Sequence, residues 1–175
     1  NVSNVGNIDN VSNVGNIDNV GYVDDMTIMF LFAEKFNQNI SNWDVSNVKN
    51  MLGMFSGATK FNQNISNWNV ENVTNMGSMF LGATSFNQDI SNWNVENVTN
   101  MRVMFYKATS FNQKLDWGNK LKTDVDMVNM FTDSEGSIKK QSTQSKEKNN
   151  NLVIYILGSI LLISIIVLLV IIIKK

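Results

Sequence analysis

Residues 36–60 read FNQNISNWDVSNVKNMLGMFSGATK, and their pattern returns at 61–85 and again at 86–110. Phe36, Phe61, Phe86 and Phe111 each open FNQ, and Ile40, Ile65, Ile90 and Leu115 follow four positions later. Trp43, Trp68 and Trp93 keep the spacing, while Trp117 comes one residue early. Val45, Val70 and Val95 recur, as do Val48, Val73 and Val98, then Met51, Met76 and Met101. The Met-Phe pairs 54/55, 79/80 and 104/105 complete the set. Residues 61–85 and 86–110 differ only at Asn64/Asp89, Gly77/Arg102, Ser78/Val103, Leu81/Tyr106 and Gly82/Lys107. Upstream, Val20, Val23, Met26, Met29 and Phe30 lie in register. Downstream, Met127, Met130 and Phe131 are one residue out of step after KLDWGNKLKTDVD, as at a capping unit.

Within one unit, Ile40, Trp43 and Val45 fit L-x-x-L-x-L, the strand portion of a leucine-rich repeat. Asn42, Asp44 and Ser46 interleave with them, which predicts one apolar and one polar face. Asn47 stands where an N-cap would, and Val48, Met51, Met54 and Phe55 follow at three- and four-residue steps. Gly57 and Gly82 stand where a helix C′ residue would, although Lys107 breaks that rule. The expected fold is therefore an α/β repeat solenoid over 20–131, with one short strand and one short helix per unit. Such a unit buries its Phe, Ile, Trp, Val and Met only against its neighbours. The Asn37/62/87/112 and Gln38/63/88/113 rows are expected to form inward-facing amide ladders that satisfy turn backbone groups.

The flanks are of other kinds. Residues 1–19 hold NVSNVGNID twice and read as low-complexity sequence, a slipped duplication with no function of its own. Residues 132–151 are polar and read as a flexible stalk. Residues 152–173, LVIYILGSILLISIIVLLVIII, carry no charge from end to end. The run is long enough for a single transmembrane helix, and Lys174 and Lys175 form a short basic tail. Lys139, Lys140, Lys146 and Lys148 flank the other side of that span, so charge does not fix its orientation. The chain opens on Asn1 with no export leader in view, so either a leader has been removed or this is a fragment.

Composition narrows the chemistry. The 175 residues include no His, Cys or Pro. That removes disulfides, thiol nucleophiles, zinc-thiolate sites and the Ser-His-Asp triad. The formal charge of −1 averages an acidic part, 8 basic and 14 acidic residues over 1–135, with a basic end, 6 Lys and 1 Glu over 136–175. An acidic body argues against a nucleic-acid partner.

The unit FNQ-x-I-SNW-x-V-x-NV-x-NM-x-x-MF-x-x-A, over about residues 20–131, resembles the repeat of BspA-like leucine-rich-repeat surface proteins, in particular the mycoplasma-type surface protein repeat. The resemblance implies a solenoid related to leucine-rich repeats on a bacterial surface, often anchored by an N-terminal lipid or a membrane helix. It implies a role in adhesion to host or neighbouring cells and brings no catalytic motif. The lipoprotein Cys of that pattern is missing, so anchoring would fall to 152–173.

No enzyme is expected. Glu71 and Glu96 would become neighbours on stacked units, but repetition alone places them so, as two solvated charges. Asp44, Asn69 and Asn94 share one repeat position with oxygen ligands nearby, yet only the first is charged, and no metal or cofactor is expected. The N-x-S/T sequons starting at Asn1, Asn10, Asn39, Asn64, Asn72 and Asn97 arise by copying of the repeat. Two surfaces are candidates for binding an extracellular protein or glycan. The first is the exposed row Asn42/Asp44, Asn67/Asn69 and Asn92/Asn94. The second is Arg102, Tyr106 and Lys107, which with Val103 replace smaller residues of the preceding unit. The expected protein is membrane-anchored and single-pass, with its repeats outside the cell and used for adhesion. The alternatives are a structural or antigenically variable coat protein without a dedicated ligand, and a truncated remnant of a larger surface protein.

Overall fold

The computed structural model describes residues 20–139. The N-terminal duplication, the apolar span 152–173 and the basic tail lie outside the described residues. Contacts divide the chain into 1–139 and 140–175, and everything below concerns the first part.

The strand-plus-helix unit is not what forms. Among the described residues there is no α-helix, only a 3-10 turn at Val20–Tyr22 and two short strands, β1 (Lys114–Leu115) and β2 (Ser137–Ile138), paired in parallel. The α/β, leucine-rich-repeat-like solenoid expected from the spacing is thus overturned. No helix of the described residues is long and apolar enough to cross a membrane.

The backbone of each unit is built instead from turns tied to the next unit. Four rows carry the ties. In the first, the N–H groups of Met26, Ile28, Phe30 and Phe32 donate to the carbonyls of Asn50, Leu52, Met54 and Ser56 at 2.8–2.9 Å. Met51, Gly53, Phe55 and Gly57 donate in the same way to Asn75, Gly77, Met79 and Leu81 at 2.7–2.9 Å. Met76, Ser78, Phe80 and Gly82 continue the ladder, and Met101, Val103, Phe105 and Lys107 end it on Asp126, Val128, Met130 and Thr132. The intervening N–H groups turn back three residues within the row, as Met54 does to Met51 (3.2 Å), Ser56 to Gly53 (3.0 Å) and Ala58 to Phe55 (3.1 Å). Parallel bridges at Asp25, Asn50, Asn75, Asn100 and Asp126 start each row.

The physical reason lies in residues 47–57. A helix here would be two or three turns long, too short to be stable by itself. Asn50 Oδ1 accepts the Leu52 N–H at 3.1 Å, a local bond that competes with helical pairing. Gly53 (φ +60) and Gly57 (φ +71) then take left-handed conformations that interrupt any helix. The same two places recur in other rows with residues less suited to them, including Ile28 (φ +52), Phe32 (φ +56), Val103 (φ +48) and Lys107 (φ +57). At Gly57 a side chain is also barred by space, because the Phe32 ring lies where its Cβ would be.

The expected strand is likewise a pair of turns. The Trp43 N–H bonds the Ile40 carbonyl at 3.1 Å, and the Val48 N–H bonds the Val45 carbonyl at 3.0 Å. These turns recur at Trp68, Trp93, Val73 and Val98.

Stacking turns the repeated apolar residues into columns. Phe30, Phe55, Phe80, Phe105 and Phe131 lie face to face, with centroids 5.4–5.7 Å apart at successive steps. Phe36, Phe61, Phe86 and Phe111 form a second column at 5.8–5.9 Å. The two columns touch at 3.9–4.0 Å within each unit. Trp43 stacks on Trp68 and Trp93 on Trp117, each at 6.5 Å. The indole N–H groups of Trp68, Trp93 and Trp117 donate to the carbonyls of Ile40, Ile65 and Ile90, so these polar atoms are buried with partners. Val45, Val48, Met51, Met54 and their counterparts in the units that start at Phe61 and Phe86 are essentially inaccessible.

Residues 132–139, grouped by sequence with the polar stalk, run alongside the last unit. The N–H groups of Glu135, Ser137 and Lys139 donate to the carbonyls of Phe111, Gln113 and Leu115, and Ile138 packs against the core.

Because each ring is held by neighbours on both sides, a deletion at the middle of a column opens a cavity that cannot collapse. Phe80→Ala is expected to cost about 3–5 kcal/mol. Phe131→Ala, at the column's partly buried end, is expected to cost clearly less. Urea unfolding of both variants checks the order.

Candidate functional site

The Asn-rich positions are engaged in the architecture. Asn39 and Asn64 Oδ1 accept the N–H groups of Ser41 and Ser66, and Asp89 does the same for Ser91, at 2.9–3.0 Å. Asp44, Asn69 and Asn94 cap Ser46, Glu71 and Glu96 at 3.0–3.3 Å. These are Asx turns, in which a short side chain replaces a backbone acceptor two residues on. A second set joins units. Asn67 and Asn92 Nδ2 donate to the carbonyls of Ser41 and Ser66 at 2.8 Å. Asn47, Asn72 and Asn97 donate to Gly21, Ser46 and Glu71 at 2.6–2.8 Å.

The two amide ladders expected from sequence form, but at the surface and not inside. Asn37 Oδ1 accepts both the Asn62 N–H (2.9 Å) and Gln63 Nε2 (3.0 Å), and Asn62 and Asn87 repeat this one unit on. Asn37, Asn62 and Asn112 are exposed and Asn87 is half-buried.

The first candidate row is exposed throughout: Asn42, Asp44, Asn67, Asn69, Asn92 and Asn94 all face solvent. Asn92 also borders an open polar groove of about 400 Å³ between the units that start at Phe61 and Phe86, lined further by Asn64, Ser66, Gln88, Asp89 and Ser91. The groove has no aromatic wall. None of these five residues was among the binding candidates read from the sequence, although Asn64/Asp89 is one of the few differences between the two units. One unit further on, Lys120 Nζ takes the role of the Asn67 and Asn92 amides, donating to the carbonyls of Ser91 and Trp93 at 3.2 Å.

The second candidate group sits on a different segment, the row 100–107. Arg102 is exposed and pairs with Asp126 at 3.7 Å. Lys107 Nζ stands 5.3 Å from the centroid of the half-buried Tyr106 ring, a cation–π contact. Among the described residues no cluster of three acidic side chains is placed to hold a metal ion. Glu71 Oε1 accepts Asn69 Nδ2 at 3.3 Å, and both Glu71 and Glu96 are exposed.

Hydrogen bonds from Ser46, hydroxyl first and backbone N–H second, hold the Asp44 carboxyl below its ordinary value. Ser91 does the same for Asp89, with a smaller contribution from Lys139, and Thr27 for Asp25. A lowered folded-state value favours the folded protein above the ordinary carboxylate pKa of about 3.9, and the benefit fades as pH falls through the lowered value. Unfolding midpoints measured from pH 6 to pH 2.5 are therefore expected to fall only below about pH 4. The triple replacement of Asp25, Asp44 and Asp89 by Asn, which keeps the turn-capping oxygen, is expected to flatten that fall.

No curated protein and no solved structure matches the chain. The model of one family does, over residues 24–145, a range that includes every row described above. It supports the mycoplasma surface-repeat part of the resemblance and not the leucine-rich-repeat part. By that match the chain belongs to the family described as Mycoplasma protein of unknown function, DUF285.

Proposed function

We propose that the chain is a non-catalytic surface module, anchored by residues 152–173, whose stacked repeats bind an extracellular protein or glycan. The observation that carries this reading is the groove beside the exposed Asn row. Asn64, Gln88, Asp89 and Asn92 line it together with Ser66 and Ser91, in an opening about the size of a sugar unit or a short peptide turn. The family match supports surface placement, and the uncharged run 152–173 supports a membrane anchor. The absence of His and Cys, and the commitment of the carboxylate Asp89 to a turn, support a binding role over catalysis.

A second reading, a coat protein without a dedicated ligand, draws on a different observation. The recurring Asn and Gln side chains are largely spent on internal hydrogen bonds, so their abundance follows from architecture alone.

Two measurements test the proposal. Protease treatment of intact cells is expected to degrade residues 20–131, and their survival would refute surface display. Screening the full chain on glycan and matrix-protein arrays is expected to give a ligand whose affinity drops about tenfold or more in Asp89→Asn. That variant keeps the Asx turn, since Asn64 forms the same turn one unit earlier. Absence of any ligand, or indifference to this change, would favour the coat reading.

A further inference from the structure

Every row of the stack but the last hands its alternate N–H groups to the row that follows. In the last row the counterparts of Met101, Val103, Phe105 and Lys107 are Met127, Asn129, Phe131 and Asp133. The N–H groups of these four donate to no acceptor among the described residues. The Val125 carbonyl likewise has no donor among them, although its counterpart Thr99 accepts the Asp126 N–H at 3.0 Å. Among the described residues the row therefore presents an ordered line of unpaired donors, flanked by an unpaired acceptor.

Two further properties distinguish this edge. Met127 is 39% and Val128 47% exposed, and the other exposed large apolar side chains, Tyr22, Ile28 and Phe32, belong to residues 20–32 at the opposite end of the stack. The edge is also acidic. Residues 124–135 contain Asp124, Asp126, Asp133 and Glu135 and no Lys or Arg. Of these, Asp126 pairs with Arg102, while Asp124, Asp133 and Glu135 are exposed. Sheet edges with unpaired donors are the places where proteins add a chain segment from a partner.

The other end of the same stack shows what such a segment must look like. There Asp24 precedes the row 25–32, and the incoming row 50–57 brings Lys49 to within 3.9 Å of Asp24. The incoming row also carries glycine at both left-handed places, Gly53 and Gly57. We propose that the 127–133 edge is a docking site for a peptide segment of this chemistry. The segment is a short row led by a basic residue, with glycines at two positions four apart and apolar residues between. Its alternate carbonyls would take the four free N–H groups. Its apolar residues would cover Met127 and Val128, and its basic residue would lie at the head of the row, next to Asp124. This inference goes beyond the groove-centred reading above and does not depend on it.

The test uses the full chain and the synthetic peptide KNMLGMFSGATK, which has the sequence of residues 49–60. Hydrogen exchange is read residue by residue by NMR. In the chain alone, the amides of Met127, Asn129, Phe131 and Asp133 are expected to exchange at least tenfold faster than those of Met101, Val103, Phe105 and Lys107. The peptide is expected to slow the first four at least tenfold. A control peptide with both glycines replaced by proline cannot adopt the left-handed turns and is expected to give no protection. A second control with both lysines replaced by glutamate is expected to bind about three- to tenfold more weakly. The chain variant Asp124→Asn is expected to weaken binding of the lysine peptide to a similar degree. Three outcomes would overturn the proposal. The four amides could be protected in the chain alone, meaning that its own remaining residues close the edge. The proline peptide could protect them as well as the glycine peptide does. Protection could fall on residues outside 124–135.

Discussion

A backbone N–H that bonds to the next unit and not to its own is the constraint on which the whole structure depends. Each row sends alternate N–H groups forward and turns the others back by three residues. That division leaves no route for an α-helix, because the i→i−4 partners are never formed. It fixes the orientation of the units as parallel and sets each residue above its counterpart. The Phe columns, the Trp pairs and the Asn staples follow from that superposition. None of them would arise from a single unit, which has no apolar surface of its own to close against.

The period and the interior were legible in the sequence, and the local backbone was not. Phe36, Ile40, Trp43, Val45, Val48, Met51, Met54 and Phe55 recur from unit to unit and are buried in the structure. Their spacing also fitted a strand followed by a helix, because residues three and four apart meet on one side of a run of three-residue turns as well as on one face of a helix. What separates the two cases is the destination of the N–H groups, which a pattern of side chains does not record. The left-handed residues were a second blind spot. Gly53 and Gly57 could be read as helix ends, but Ile28, Phe32 and Val103 occupy the same backbone places with side chains that disfavour them. There the bonds between rows override local preference.

The surface shows how function and architecture share one alphabet. Asn serves in this chain as turn cap, as staple between units and as ladder rung, and each use consumes part of its hydrogen-bonding capacity. The Asn row was foreseen as a surface and is exposed. The groove beside it went unseen, because it is formed by residues of two successive units, including Asn64 and Ser66 from one and Asp89 and Ser91 from the next. Departures from the repeat, such as Asp89 and Lys120, are therefore more telling than the repeated residues. They change the chemistry at places where the backbone is held constant.

The near-identity of residues 61–85 and 86–110 bears on how the chain finds its order. Two adjacent units that present the same ladder, the same rings and the same staples are interchangeable partners for their neighbours. A folding chain can thus pair the unit before them with the second copy and loop out the first; the new junction keeps its ladder and rings, and what is lost is the burial of the looped-out unit. What distinguishes correct alignment from such a slip at the junction is the set of differences in the paired row: Gly77/Arg102, Ser78/Val103, Leu81/Tyr106 and Gly82/Lys107. The irregular residues of this otherwise monotonous sequence act as its page numbers.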